Sequence, residues 1–319
     1  MSLIAEHLPP EQRAALRSAI RWEWFTIVYT SVTIVLVALV VGNSQAMKTA
    51  WIEDILSLIP QVSFLLALVF IRRGRSRSYP YGRHRGMVVG HLIAGVALLV
   101  VGANLAVESV LGLISGEHPT IGTVQVLGHT VWLGWFMVGV MAVIVVGPFF
   151  YGPAKLKLAP KLHNKLLFAD ADMAKADWTT NAASIVGVLG IGVGLWWLDS
   201  AAALFISLGI VWDGIKNTRN ALRDLIDQRA RSYDDAHPHE LVTEVLRRMR
   251  RQPWVSRVGV RMRDQGQVFH VEVFVVAKRW RRPTARTLSR ATAALEAIDW
   301  KLHDVVIVPV LELPDAVAR

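Results

Sequence analysis

Asp170, Asp172, Lys175 and Asp177 stand within eight residues of one another inside an apolar stretch. A charge in hydrocarbon costs about 2.5 to 3.5 kcal/mol on insertion scales, so each needs a reason to be there. Asp170, Met173, Asp177, Asn181 and Ser184 recur at three-and-four spacing and share one helical face. Asp172 and Lys175 lie on a neighbouring face, at the i,i+3 spacing of an ion pair. Asp177 falls 12 residues beyond Lys165, or about 18 Å along a helix, well inside a bilayer. A second apolar stretch opens with Glu53 and Asp54, followed one turn later by Ser57. The two acids point about 100° apart on a helix, so one of them is expected to face inward. Carboxylate and hydroxyl oxygens offered by two helices are the hard donors a divalent cation takes. Such carboxylates lose protons to bind metal, which couples affinity to pH. The competing reading is an ion-pair network or proton relay without metal.

These residues need a membrane scaffold, and the composition supplies one. Of 319 residues, 53% are hydrophobic and 19% charged, with a mean hydropathy of +0.38. Soluble domains carry nearer 25% charge. Disorder, collagen and disulfide scaffolds are excluded, and with no cysteine there is no thiolate chemistry. Six stretches are long enough to cross a bilayer: 24–41, 55–71, 87–114, 123–150, 166–195 and 200–215. The first starts too late and lacks the cleavage site of a signal peptide. Arg13, Arg17 and Arg21 precede it; Arg72 to Arg85 fill the connection between the second and third; Lys155 to Lys165 fill that between the fourth and fifth. The other connections are almost bare. All the basic connections therefore share one side, which puts both termini in the cytoplasm. The net charge of +10 is thus topology rather than a nucleic-acid surface. Trp22, Trp24, Trp51, Trp196 and Trp197 mark span ends, as interfacial anchors do.

From Asp234 onward the pattern changes. Residues 241–249 have helical spacing, 255–263 and 268–276 alternate as strands around a turn at 264–267, 284–298 are helical and 305–311 form a last strand. The order αββαβ predicts a small α+β domain. The expected organisation is a lead (1–21), a membrane domain of six helices (22–216), a linker (217–236) and a cytoplasmic domain (237–319).

Tyr79-Pro80-Tyr81-Gly82-Arg83-His84-Arg85, the run from Ala169-Asp170 to Asp177-Trp178-Thr179-Thr180-Asn181, Asp199 to Gly214 closing on Leu225-Ile226-Asp227, and the αββαβ tail with Gln267-Val268-Phe269-His270-Val271-Glu272 occur in that order. Together they resemble the cation diffusion facilitator family of metal transporters over nearly the whole chain. The resemblance implies a six-helix bundle with a ferredoxin-like, metallochaperone-like tail. It implies a homodimer that exports divalent metal from the cytoplasm against a proton influx by alternating access; the charge asymmetry of the connections and the lack of a targeting segment give a bacterial inner membrane as the expected location. By position, Asp177 is the firm ligand, with Glu53 and Ser57 on the second span; a one-residue shift puts Asp54 there instead. Zinc members of the family place a His where this chain has Met173. Losing that imidazole favours an oxygen-liking ion such as Mn²⁺ or Fe²⁺, or recruits Asp170, Asp172 or Asn181. Among Zn, Mn, Fe, Co, Ni and Cd the sequence names no single ion. Of the tail's metal ligands only His270 is matched, while Leu288, Val308 and Val310 stand at other ligand positions, so a dimerisation domain with little bound metal is expected. No cofactor is implied. The sequence has no nucleophile–base pair, zinc-protease helix or phosphate loop, so it is not read as an enzyme. The alternative function is a non-transporting membrane scaffold or metal sensor of the same fold.

Overall fold

The computed structural model describes residues 8–116, 118–126 and 128–318, and only the backbone of Lys175 and Ala176. Helix α1 (Pro10–Val40) begins on a proline, where the missing N–H is no loss. The lead carrying Arg13, Arg17 and Arg21 is therefore the first turns of the first long helix. Helix α2 (Gln45–Ile71) is capped by Ser44, whose hydroxyl accepts the Met47 N–H at 3.1 Å. Helix α3 (Gly86–Ser115) ends on the left-handed Gly116.

The fourth apolar stretch folds differently from the expected single span. Strands β1 (Thr123–Val126) and β2 (His129–Trp132) form an antiparallel hairpin. Its residues Thr123, Val124, Val126, Thr130 and Val131 are β-branched, and that favours a pleated strand over a helix. The helical part then breaks at Val145 into α4 (Leu133–Ile144) and α5 (Val146–Leu162). Pro148 explains the break, because it has no N–H for the Ile144 carbonyl four residues back. The Tyr29 hydroxyl of α1 donates to that carbonyl instead, at 2.7 Å. Because α5 reaches Leu162, Lys155, Lys157 and Lys161 sit on a helix rather than in the expected loop. Only His163 and Asn164 connect it to α6 (Lys165–Gly192), whose first turn Asn164 caps. Helix α7 (Trp197–Leu225) continues past 216 and takes in nine residues assigned above to a linker.

Among the described residues, five helical stretches are long and apolar enough to cross a membrane: Pro10–Val40, Gln45–Ile71, Gly86–Ser115, Leu133–Leu162 and Trp197–Leu225. The charge-bearing α6 is not among them. Small residues bring α3 and α7 together: a Cβ on Gly95 would lie 2.6 Å from the Thr218 nitrogen, and one on Gly214 2.4 Å from that of Leu99. Close backbone approach of this kind is how helices associate in lipid.

The C-terminal part runs α8 (Glu240–Arg250), β3 (Val255–Asp264), β4 (Phe269–Ala277), α9 (Ala285–Glu296) and β5 (Leu302–Pro309). Central β4 is antiparallel to β3 and parallel to β5. Val258, Val260 and Met262 turn inward with Val271, Val273 and Val275, against Val245 and Met249 of α8. The β3–β4 turn at Gly266 (φ +99°) is seated on the membrane part, since a Cβ there would lie 2.7 Å from the His84 carbonyl oxygen.

Candidate functional site

Asp177 lies on α6, facing α2 and α5. From α5, the buried Tyr151 donates its hydroxyl to Asp177 Oδ2 at 3.1 Å. One turn on, Asn181 donates its side-chain amide to the Asp177 backbone carbonyl at 2.7 Å. That bond turns the amide along its own helix, and the Asn181 oxygen is the atom left for a ligand. Across the interface, both Glu53 and Asp54 of α2 interact electrostatically with Asp177. The single-helix argument made these two acids alternatives; the packing of α2 against α6 brings both into range. Glu53 also accepts a hydrogen bond from Thr180 of α6, and its Oε2 is buried with no hydrogen-bond partner among the described residues. Ser57 donates to the Asp54 backbone carbonyl at 2.7 Å, so its hydroxyl proton is already committed.

The remaining sequence candidates separate from this group. Met173 packs among Leu56, Leu98, Leu105, Ile206 and Ile210, an apolar cluster beside the acids. Asp170 faces the buried Lys155 of α5, and the two form a close ion pair. The same ammonium reaches Glu23 at 3.1 Å and the Thr26 hydroxyl at 2.8 Å, both on α1. Asp172 pairs with Lys216 of α7 at 2.7 Å. The expected Asp172–Lys175 pair falls on a side chain outside the described residues. Trp178 is 51% exposed. Asn104 donates to Glu108 within α3, and Glu108 in turn pairs with Lys48. Among the described residues, no three His, Asp or Glu side chains gather tightly enough to hold an ion as they stand.

Three participants escaped the sequence reading: Tyr151, Thr180 and Asp213. Asp213 of α7 interacts electrostatically with Glu53 and Asp177. It also lines a polar cleft between α3, α6 and α7, with His91, Asp172, Lys216, Asn217 and Asn220. This acid therefore relates the cleft to the buried carboxylates. A lone carboxylate in the sixth apolar stretch was the signal that could have found it.

In the C-terminal domain, His270 Nδ1 lies 2.6 Å from Asp304 Oδ2 on the neighbouring strand. Leu288 packs against that domain's apolar core. At the start of α8, His239 Nδ1 accepts the Leu241 N–H at 3.1 Å, and its Nε2 lies 3.3 Å from His163 Nδ1.

The family model described as the cation efflux transmembrane domain matches residues 23–226. The chain is 22% identical over 297 residues to the uncharacterized transporter YdbO of Bacillus subtilis, covering 90% of this chain and 93% of that one. It is 24% identical over 246 residues to the manganese efflux system protein MneS of the same organism, covering 75% and 77%. It is 25% identical over 222 residues to mitochondrial metal transporter 1 of Saccharomyces cerevisiae, covering 65% of this chain and 42% of that protein.

Proposed function

Because the chain belongs to the cation efflux, or cation diffusion facilitator, family, we propose that this membrane transporter of metal cations exports Mn²⁺ in exchange for protons. The observation that carries the reading is that Glu53 and Asp54 of α2 lie within electrostatic range of Asp177 of α6. Every charged donor in that group is a carboxylate. The residue one turn before Asp177, Met173, is packed in an apolar cluster. An all-oxygen donor set suits a hard ion such as Mn²⁺ over ions that prefer nitrogen or sulfur. One relative in hand, MneS, is itself named for manganese efflux.

In this mechanism α6 completes a six-helix bundle whose two termini lie in the cytoplasm, and two chains form a dimer. Mn²⁺ enters past Asp172 and Asp213 in the polar cleft. It displaces protons from Asp177 and an α2 carboxylate, with Asn181 and Ser57 offering further oxygens. Movement of α2 and α6 relative to the rest of the bundle then opens the site outward. Protons there replace the metal and reset the carboxylates. The acids thus hold either metal or protons, and that exclusivity couples the two fluxes.

The test is proton release on metal binding. Purified protein in weakly buffered detergent, titrated with Mn²⁺ beside a pH indicator, is expected to release protons. Asp177→Asn is expected to release markedly fewer. Equal release from the two proteins would overturn the assignment of Asp177. No release from an intact wild-type dimer would return the scaffold or sensor reading.

A further inference from the structure

The connection between α2 and α3 folds into a basic, aromatic cavity that shares no residue with the α2–α6 carboxylate group. Its backbone is ordered by reciprocal hydrogen bonds between Ser76 and Tyr79, at 3.0 and 3.1 Å. The Arg83 guanidinium lies 4.2 Å above the Tyr79 ring, and that of Arg73 5.8 Å above Phe70. Together with β3 the loop encloses about 650 Å³. Four guanidiniums line the space: Arg73, Arg83 and Arg85 from the loop, and Arg263 from the C-terminal domain. A single carboxylate, Asp227, pairs with both Arg85 and Arg263. Arg73 and Arg83 have ring contacts and no carboxylate partner among the described residues. The Arg263 Nε is buried and has no hydrogen-bond partner among the described residues. The cavity thus holds an excess of positive charge and an unsatisfied donor.

Its position selects the ligand. Phe70 and Val89, at the adjoining ends of α2 and α3, are 47% and 44% exposed and belong to the apolar flank of the bundle. Tyr79 and Tyr81 are half exposed at the same level, where amphipathic rings sit at headgroup depth. We propose that this cavity binds the phosphate-bearing headgroup of an anionic phospholipid. Guanidinium forks match phosphate oxygens two at a time. Basic pockets at the cytoplasmic ends of membrane helices suit such headgroups. The acyl chains run along Phe70 and Val89, giving a lipid contacts that a free phosphate lacks. Because Arg263 belongs to β3, one bound lipid bridges the membrane and C-terminal domains.

Native mass spectrometry of the full chain tests this, with phosphatidylglycerol, phosphatidylcholine and inorganic phosphate as probes. Wild type is expected to retain phosphatidylglycerol under activation that strips phosphatidylcholine. Arg73→Gln/Arg83→Gln is expected to lower that retention about fivefold or more, a difference of about 1 kcal/mol or greater. Arg247→Gln/Arg250→Gln, on the exposed face of α8, is expected to leave it unchanged. Equal retention of the two lipids by wild type would overturn the proposal, and this comparison needs no variant. Undiminished retention in the Arg73/Arg83 variant would overturn it too. Displacement of phosphatidylglycerol by an equal concentration of inorganic phosphate would make this an anion site without lipid specificity, and would equally end the lipid assignment.

Discussion

Asp177 is held by its neighbours as much as by its own helix. The Tyr151 hydroxyl fixes one carboxylate oxygen at 3.1 Å. Removing such a bond costs about 0.5 to 1.5 kcal/mol, or roughly twofold to tenfold in affinity. Tyr151→Phe is therefore expected to raise the KM for metal severalfold while leaving the protein folded; an unchanged KM would show that the hydroxyl positions nothing. Met173 gives the opposite expectation. Its side chain fills an apolar cluster, and Leu is close to it in volume. Met173→Leu is expected to keep transport within about twofold of wild type, and loss of flux would instead make its sulfur a ligand. Asp177, Glu53 and Asp54 were legible in the sequence because charge in an apolar run needs a reason. Tyr151, Thr180 and Asp213 were not singled out, because they join the site through contacts between helices, and no spacing along one helix encodes those.

At the scale of elements, the Glu23–Lys155–Asp170 group ties together α1, α5 and α6. All three side chains are almost fully buried. Such a group adds little net stability over an apolar replacement, but breaking it leaves uncompensated charge. Lys155→Met is expected to destabilise the bundle by about 3 to 5 kcal/mol, read as a lowered Tm in detergent. Adding Glu23→Gln and Asp170→Asn to it is expected to restore most of the loss, and a full deficit in the triple variant would refute the electrostatic cause. None of this was legible from the sequence, which placed Lys155 in a loop. Apolar content marks a span without saying where a helix starts or stops. The β-branched hairpin of β1 and β2 therefore read as membrane helix, and the helical turns after Pro148 read as connection. The C-terminal strands were far more legible, because alternation in 255–263 has a period that a helix cannot share.

At the scale of the whole molecule, the two parts meet through titratable groups. His163, in the left-handed conformation at the end of α5, faces His239, Phe269 and Lys301. Lys165 spans the same junction, pairing with Asp224 and Asp235 at 2.7 Å and lying 3.8 Å from Asp264. His239 Nδ1 accepts a backbone N–H, so its Nε2 carries the proton and His163 Nδ1 accepts it. A further proton on either ring would break this chain. Burial, reinforced by the Lys301 ammonium, pushes His163 down to about 2 and His239 to about 4. Both values lie below the ordinary 6.5. The unfolded junction therefore takes up protons first as the medium acidifies. The stability these rings contribute is complete above about pH 6.5 and is lost below it, down to about 4 for His239 and on to about 2 for His163. Protection from hydrogen exchange across residues 228–239, taken relative to the intrinsic rate at each pH, is expected to fall between pH 7.5 and 5. His239→Gln can keep both hydrogen bonds, and it is expected to blunt that change. Equal acid sensitivity in the variant would assign the effect elsewhere. The sequence showed a domain at each end of the chain, but not this junction, whose contacts join residues far apart in the chain.

The most direct test of metal–proton exchange is uptake of Mn²⁺ into proteoliposomes under an imposed pH gradient, with wild type beside Asp177→Asn. Uptake that depends on the gradient and is lost in the variant is the expected result. Gradient-independent uptake, or equal uptake by a correctly assembled Asp177→Asn protein, would contradict an exchange of metal for protons at the α2–α6 carboxylates.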